Sequence, residues 1–158
     1  MSNGSSCDSR VRMQRSSLQW LTISLLVLFL LNCGLRAERQ GIPSEVEATI
    51  ASISDDIAAE HYEKLYEEAA DLWRQDSTLE QSNSVLMMIR TKLGKVENRT
   101  LHSAVDQQNS GGPLKGHAFI VTYETKFERG EGMETFTLIE RDHQWLLARY
   151  RVSSTALN

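Results

Sequence analysis

Residues 85–105, VLMMIRTKLGKVENRTLHSAV, contain the change of periodicity that decides the fold. Before Gly94 the apolar residues recur at helical spacing. They form one face made of Val85, Leu86, Ile89 and Leu93. Basic residues in the last turn and a glycine directly after it are typical of a helix C-terminus. After Gly94 the period becomes two, and Val96–Val105 is rich in Val, Thr and Leu, which predicts a strand.

Helical patterns fill the chain upstream of this stretch. The sequence Ser77-Thr-Leu-Glu80 predicts a capping box at the start of the helix that ends at Gly94, and Ser44-Glu-Val-Glu47 predicts another after Pro43. Between residues 45 and 75 the apolar side chains recur in steps of three and four, and a break near Glu60-His61 is favoured over one continuous helix. We therefore predict three helices.

Strand patterns fill the chain downstream. The predicted strands are Val96–Val105, Gly116–Glu128, Met133–Arg141 and Gln144–Val152. They are separated by the polar loop Asp106–Lys115 and by turns at Arg129–Gly132 and Asp142-His143. Consecutive strands joined by short turns make an antiparallel meander. The predicted fold class is α+β, with helices covering one face of a four-stranded antiparallel sheet.

An apolar segment precedes this domain. Residues 18–31, LQWLTISLLVLFLL, are apolar except for three polar side chains, and arginines precede them. A helix of this length spans about 21 Å, whereas the hydrocarbon core of a bilayer is about 30 Å thick. The segment therefore fits the hydrophobic region of a signal peptide better than a transmembrane helix. We predict a signal peptide or membrane anchor at 1–33, a linker at 34–43 and a single α+β domain at 44–158.

Three fates of the leader remain open. Leu30-Leu-Asn-Cys33 resembles a bacterial lipobox, in which the cysteine is lipidated, although Asn32 stands where that pattern has Gly, Ala or Ser. Cleavage after Ala37 and an uncleaved anchor extended through Leu35 are the alternatives, in that order. All three predict an exported domain of the bacterial cell envelope, and lipidation at Cys33 or retention as an anchor would tether it to the membrane.

Charge and cysteine usage limit the partners. Residues 33–158 carry 14 Lys and Arg against 20 Asp and Glu, and no basic cluster occurs among them. An acidic domain of this kind is not expected to bind nucleic acid. The two cysteines, Cys7 and Cys33, lie before the predicted domain. A disulfide framework or a cysteine-based zinc site is therefore not expected in the domain.

Several stretches carry a resemblance to known proteins. The helical sequence IAAEHYEKLYEEAA, residues 57–70, leads into Trp73-Arg74, the sequence RTKLG ends at Gly94, and the chain closes on QWLLARY, residues 144–150. Over about residues 45–153 the chain resembles the nuclear transport factor 2-like (cystatin-like) superfamily. It is similar, more narrowly, to the bacterial envelope family called domain of unknown function 4019. The resemblance implies a curved sheet on a long helix and a possible homodimer through the sheet, and it supplies no functional residues.

The histidines offer a weak case for chemistry. His61 and His143 are predicted in a helix junction and a turn, so both should be exposed. His102 and His117 are predicted on neighbouring strands, where they could form a metal or acid–base cluster with Glu124. A zinc site needs three or four convergent ligands, and nothing in the sequence fixes the faces of these residues.

A second set of candidates follows from the resemblance. Isomerases and dehydratases of the superfamily place a carboxylate with Tyr or His inside the cone, where burial raises the pKa of the acid. The corresponding candidates here are Asp56, Tyr62, Tyr123 and Tyr150. Packing of a helix-surface carboxylate and of core aromatic rings explains each of them more simply. Trp73 and Trp145 are likewise predicted as core anchors.

Arginines near the C-terminus are the last candidates. Arg149 and Arg151 share a strand face with Arg141 nearby, and they could meet the acidic helix or an anionic ligand. Cross-strand pairing with Glu134 or Glu140 is the plainer interpretation.

We predict no catalytic, cofactor-binding or metal-ligating set. The expected function is a non-catalytic module that binds a small apolar ligand or a protein partner. The alternative is a small cone-pocket enzyme, isomerase- or dehydratase-like, that acts on a hydrophobic substrate. An interior with two or more titratable groups at hydrogen-bond distance would favour the enzyme, and a filled apolar interior would exclude it.

Overall fold

The computed structural model describes residues 41–158, in which helices precede a sheet. The helices are α1 Ser44–Ala58, α2 Tyr62–Glu68, α3 Asp71–Asp76 and α4 Leu79–Leu93. The strands are β1 Val96–Asn109, β2 Gly116–Phe127, β3 Gly130–Arg141 and β4 Gln144–Ser153, and a 3-10 turn follows at Thr155–Leu157. The sheet has the order β1-β2-β3-β4 with every neighbouring pair antiparallel. The predicted α+β class is confirmed.

The predicted leader falls outside the described residues. This holds for the signal or anchor segment at 1–33, with Cys33, and for residues 34–40 of the predicted linker. Within residues 41–158 no helix is both long enough and apolar enough to cross a membrane.

Between residues 44 and 76 the helical region is broken at two places. The predicted break is confirmed at Glu60, whose φ of 62° lies in the left-handed region between α1 and α2. A second break at Ala69 and Ala70 was not predicted, so four helices stand where the sequence predicted three. Both alanines are extended and buried, and the Ala70 N–H donates to the Leu147 carbonyl of β4 at 2.9 Å. A hydrogen bond to a distant strand therefore replaces the helical one.

The predicted capping boxes are corrected by the structure. At α1 the N-cap is Pro43, and Ser44 is the first helical residue without a capping hydrogen bond from its side chain. At α4 the capping box is real but lies one residue further on, because Thr78 exchanges hydrogen bonds with Gln81 at 3.2 and 2.9 Å. The Ser77 hydroxyl instead lies 3.0 Å from the buried Ser82 hydroxyl.

The C-terminus of α4 is closed by the β2–β3 turn. Gly94 has a φ of 81°, and a Cβ atom there would stand 2.5 Å from the Glu128 carboxylate, so glycine is required. The Arg129 guanidinium donates to the carbonyls of Arg90 and Thr91 at 2.9 and 2.6 Å. The Arg90 carbonyl also accepts from the Gly94 N–H at 2.9 Å, and the Arg129 cation complements the helix dipole.

Replacing Arg129 with alanine is expected to lower the free energy of unfolding by about 1–2 kcal/mol. The substitution removes the guanidinium donors at the end of α4, whereas the backbone bonds from Gly94 N–H to the Arg90 carbonyl and from the residue 129 N–H to the Leu93 carbonyl remain. Urea unfolding measures the change. Arg151→Ala on β4 provides an exposed arginine control with no ion pair in the described residues, and an equal loss in both variants would show that the capping contact contributes nothing specific.

The sheet is built from tight hairpins. Asp142 and His143 join β3 to β4 with φ values of 49° and 61°, the left-handed pair that a two-residue hairpin turn requires. The β2–β3 turn is also shorter than predicted, because β3 begins at Gly130. β1 continues past the predicted Val105 to Asn109. Irregular pairing between Leu101 and Ser103 marks a bulge in β1, which bends the strand.

The helices bury one face of this sheet. The main core joins α1 to the inner sides of β2, β3 and β4, and its buried members include Val46, Ile50, Phe119, Val121, Phe136, Leu138 and Leu147. The predicted core role of Trp73 is confirmed, since its ring is buried and its indole N–H donates to Ser82 Oγ at 2.8 Å. Trp145 packs against the same core from the edge, with its ring 6.2 Å from that of Phe119.

Candidate functional site

A cavity remains between the helices and the sheet. Its volume is about 350 Å³, and α1, α4, the start of β1 and the ends of β2 and β4 contribute its walls. The apolar lining consists of Ile57, Ala58, Leu86, Ile89, Val96 and Phe127. The polar lining includes Ser54, Asp55, Arg90, Lys95, Arg99 and Tyr150. This size lies at the lower end of the range for small-molecule sites.

Behind one wall of the cavity lies a completely buried carboxylate. Glu134 on β3 has no solvent exposure. Its Oε2 accepts hydrogen bonds from Arg99 Nε at 2.5 Å and from Thr125 Oγ1 at 2.9 Å. Its Oε1 accepts from Arg99 Nη2 at 2.9 Å and from Tyr150 Oη at 2.7 Å. Four strands thus each contribute one residue to a single network, and two of these residues, Arg99 and Tyr150, also line the cavity.

The protonation states of the network follow from this geometry. Burial lowers the pKa of Arg99, but the hydrogen bond and the charge of Glu134 outweigh it, so the pKa is raised from its ordinary value and the guanidinium stays charged. Burial and the neighbouring Glu134 carboxylate raise the pKa of Tyr150 well above 10.0, so its phenol keeps the proton and donates it. Glu134 therefore accepts from two neutral hydroxyls and one cation.

Glu134 is poorly suited to act as a base. A carboxylate has about four lone-pair positions, and four donors occupy them here. A general base must reach the proton that it removes, whereas the buried Glu134 contacts only its own supporting residues. Its role in the geometry is to position the side chains of Arg99 and Tyr150.

Arg99 lines the cavity and retains hydrogen-bonding capacity. A guanidinium has five N–H donors, and the pair on the Nε and Nη2 edge is directed at Glu134. The opposite edge, formed by Nη1 and Nη2, makes no hydrogen bond with any residue in 41–158. The Phe136 ring, with its centroid 5.8 Å from Arg99 Cζ, supports the guanidinium from below.

Two buried hydroxyls near the cavity also lack partners within the described residues. Ser54 Oγ belongs to the cavity lining, and Tyr62 Oη lies on α2. Burial raises the pKa of Tyr62, which keeps that phenol neutral. Because buried polar groups are normally hydrogen-bonded, unpaired hydroxyls of this kind indicate water or ligand atoms as partners.

The candidate carboxylate–tyrosine group that the resemblance implied does not assemble. Tyr150 joins the Glu134 network, and the Tyr123 ring packs on Phe136 with centroids 6.1 Å apart. Asp56 instead forms a buried ion pair with Lys64 at 2.8 Å, and this hydrogen bond lowers the pKa of Asp56. It lines a separate depression beside Trp145, and it is buried, so the simpler interpretation of Asp56 as a helix-surface carboxylate is wrong.

The cluster that His102 and His117 could have formed with Glu124 does not assemble either. His102 contacts Glu124 at 3.1 Å. His117 on β2 instead lies opposite Gln108, which is six residues after His102 on β1. Each histidine therefore has its own partners. His61 and His143 are exposed as predicted. In the part of the chain that the structure describes, no group of three or more His, Cys, Asp and Glu residues is placed to hold a metal ion.

His117 lies between two carboxylates from different strands. Its Nδ1 is 2.7 Å from Glu140 and its Nε2 is 2.7 Å from Asp106, while the Trp145 ring contacts its edge. The hydrogen bond to Glu140, assisted by Asp106, outweighs desolvation and raises the pKa of His117 above 6.5. The charged imidazole therefore ties the far end of β1 to β3.

Stability is consequently expected to depend on pH through His117. The pKa of His117 is higher in the folded protein than in the unfolded chain, where it is 6.5. The stabilisation from its protonation is therefore complete below pH 6.5 and is lost as the pH rises through the pKa of the folded protein. His117→Gln should lower the free energy of unfolding more at about pH 5.5 than at about pH 9. Urea unfolding at both pH values measures the difference, with the fully exposed His143→Gln as control. An equal effect of His117→Gln at both values would contradict this assignment.

The arginine predictions are corrected in part. Arg149 contacts Asp76 of α3 at 3.2 Å, which confirms the possibility that it meets the acidic helical region. Cross-strand pairing with Glu134 is wrong, because Arg99 occupies that carboxylate. Arg141 donates to the carbonyls of Glu140 and Lys115 rather than to a carboxylate.

One feature of the sequence could have identified Glu134 as a buried carboxylate. It lies in period-two phase with Phe136 and Leu138, both of which are fully buried, so a charged residue stood on the inward face of a strand. A buried charge requires a partner. The sequence gives no indication that the partner is Arg99, 35 residues away.

The fold and the cavity together define a small α+β domain in which helices cover one face of a four-stranded antiparallel sheet. The chain belongs to the family described as protein of unknown function (DUF4019), whose model matches residues 50–150. Among solved structures it is similar to a protein from Novosphingobium aromaticivorans DSM 12444 that is provisionally named a scytalone dehydratase. The two share 13% identity over 85% of this chain and 88% of that chain, with a TM-score of 0.42. A comparison with curated proteins finds no match.

Proposed function

We propose that the domain is a non-catalytic binding module that takes a small, largely apolar ligand into the cavity between α1, α4 and the sheet. The observation that carries this proposal is the cavity itself, about 350 Å³ in volume and lined by six apolar side chains. An apolar pocket with a few convergent polar groups is the usual form of a small-molecule site. Transfer of an alkyl chain from water into it is favourable.

The proposal is tested by closing the cavity. Ala58 lines the cavity at the end of α1 and is itself exposed, so Ala58→Trp narrows the opening with little cost to folding. Calorimetric titration of the full chain with decanol should show binding that Ala58→Trp weakens by at least about tenfold. The exposed Ala51→Trp, on α1 outside the cavity lining, is the matched control. Binding that survives Ala58→Trp unchanged would contradict the proposal.

A second candidate function is a small cone-pocket enzyme. The observation that favours it is the network itself, since Arg99, Glu134 and Tyr150 meet at hydrogen-bond distance beside the cavity. Tyr150 is protonated and could donate a proton to a carbonyl oxygen, while Arg99 could stabilise an enolate. The saturated Glu134 weighs against this candidate, because the buried carboxylate beside the cavity has no free acceptor position.

The two candidates differ in a measurable activity. Deuterium exchange at the carbon next to a carbonyl, followed by NMR with a set of cyclic ketones in D₂O, reports enolisation. Exchange that is catalysed by the full chain and lost in Tyr150→Phe, but retained in Tyr66→Phe, would establish the enzyme. Tyr66 is a fair control because its hydroxyl contacts the Ser77 carbonyl outside the cavity. The binding proposal expects no exchange above the buffer rate.

We also propose that this module acts outside the cytoplasm, tethered to the bacterial envelope through the N-terminal segment. The apolar residues 18–31 and the lipobox-like ending at Cys33 support this proposal. Intact-mass analysis of the membrane fraction tests it. A diacylglyceryl-modified N-terminus at Cys33 is the expected result, and a new N-terminus at Glu38 or an intact leader would contradict lipidation.

A further inference from the structure

The charges around the cavity are unevenly distributed. Its lining contains three cations, Arg90, Lys95 and Arg99, against one carboxylate, Asp55. Arg90 is 3.3 Å from Glu60, so its charge is partly balanced. Lys95 has no ion pair within residues 41–158. The lining therefore contains more cations than carboxylates although the domain as a whole is acidic, and Lys95 in particular attracts an anionic group into the cavity.

The arginine offers a specific geometry to such a group. Glu134 holds one edge of the Arg99 guanidinium through Nε and Nη2. The other edge carries two parallel N–H donors, from Nη1 and Nη2, and two parallel donors match the two oxygens of a carboxylate. Because the Glu134 network and the Phe136 ring fix the guanidinium, a ligand would find this edge already oriented.

The number of charges on the ligand is limited by the same network. Glu134 neutralises Arg99. The negative charge of a ligand carboxylate bound to the free edge of Arg99 would therefore be balanced by Lys95 and Arg90. A doubly charged phosphate would cost more to remove from water than a singly charged carboxylate.

We infer that the ligand is an amphiphilic carboxylate, with its head group on the free edge of Arg99 and its alkyl chain along the apolar wall formed by α1 and α4. The inference rests on the proposed function and specifies the ligand class for the same cavity. A chain of about ten carbons fits a cavity of this size. The apolar side chains of Ile57, Leu86 and Ile89 form the surface that covers it.

The experiment compares ligands that share one tail. The full chain is titrated by calorimetry with decanoate, decanol, decylamine and acetate. Decanoate is expected to bind about ten- to hundredfold more tightly than decanol, because hydrogen bonds to charged groups are the stronger ones. Decylamine should bind more weakly than decanol, and acetate should bind more weakly than decanoate because it has no tail to bury.

Variants locate the head group. Arg99→Lys keeps a cation beside Glu134 and removes the second edge, so it should abolish the preference for decanoate over decanol. Lys95→Gln, which disturbs no ion pair in the described residues, should reduce the preference severalfold. Arg151→Lys on the exposed face of β4 is the matched control and should change neither affinity.

The outcomes separate the two proposals. Equal binding of decanoate and decanol, both blocked by Ala58→Trp, would overturn the carboxylate and leave the binding module standing. Acetate binding as tightly as decanoate would assign the site to small free anions and would also overturn the inference. No binding of any decyl compound, or binding that Ala58→Trp leaves unchanged, would overturn the proposed function and this inference together.

Discussion

Replacing Arg99 with methionine is expected to destabilise the domain by about 3–5 kcal/mol. The substitution leaves Glu134 completely buried with two hydroxyl donors and no cation. Removing one partner of a buried ion pair is costly because the remaining charge has lost its compensation. Urea unfolding followed by circular dichroism measures the change.

The double variant Arg99→Met/Glu134→Met is the control for this effect. Replacing both members of a buried pair with apolar residues of similar volume is often nearly neutral. We therefore expect the double variant to be more stable than the single variant Arg99→Met. A double variant that is less stable than Arg99→Met would show that the network stabilises through its hydrogen bonds to Thr125 and Tyr150 rather than through charge compensation.

Replacing Phe136 with alanine is expected to cost about 3–5 kcal/mol of unfolding free energy. Phe136 is fully buried, and its ring contacts the rings of Tyr123 and Tyr150. It also supports the guanidinium of Arg99. The variant removes apolar burial and leaves a void that the surrounding rings only partly fill.

Thermal and urea unfolding measure the Phe136→Ala effect, with the conservative Phe136→Leu and the exposed Met87→Ala as comparisons. Phe136→Leu should cost less than the alanine variant, and Met87→Ala should lie within about 0.5 kcal/mol of the wild type. Similar losses for Met87→Ala and Phe136→Ala would place the stabilising core elsewhere.

The cavity remains in a core that is otherwise tightly packed. A partition formed by Leu86 and Tyr150 separates it from an open groove beside β4, because both residues line the two spaces. The Tyr150 hydroxyl is fixed by Glu134. The same network that orients Arg99 thus also holds one wall of the cavity, so changes at Glu134 are expected to affect binding and stability together.

The periodicity of the sequence was sufficient to predict the order of helices and strands along the chain. The change from helical spacing to period two at Gly94 identified the boundary between α4 and β1, and the Asp142-His143 hairpin was found from its local sequence. Such signals are local, because spacing and turn chemistry depend on neighbours along the chain. The same locality explains the error at Ala69-Ala70, where a hydrogen bond to Leu147 of β4 interrupts the predicted helix.

The sequence by itself thus determined the α+β class, the four strands and their antiparallel order. Only the tertiary structure decided the candidate site, because that site depends on which distant residues share a buried face. Arg99 and Glu134 are 35 positions apart, and their pairing follows from the register of β1, β2 and β3 and from the bulge near Leu101. A buried carboxylate must be compensated by a partner. The local sequence around each strand does not specify which cation of another strand will contact it.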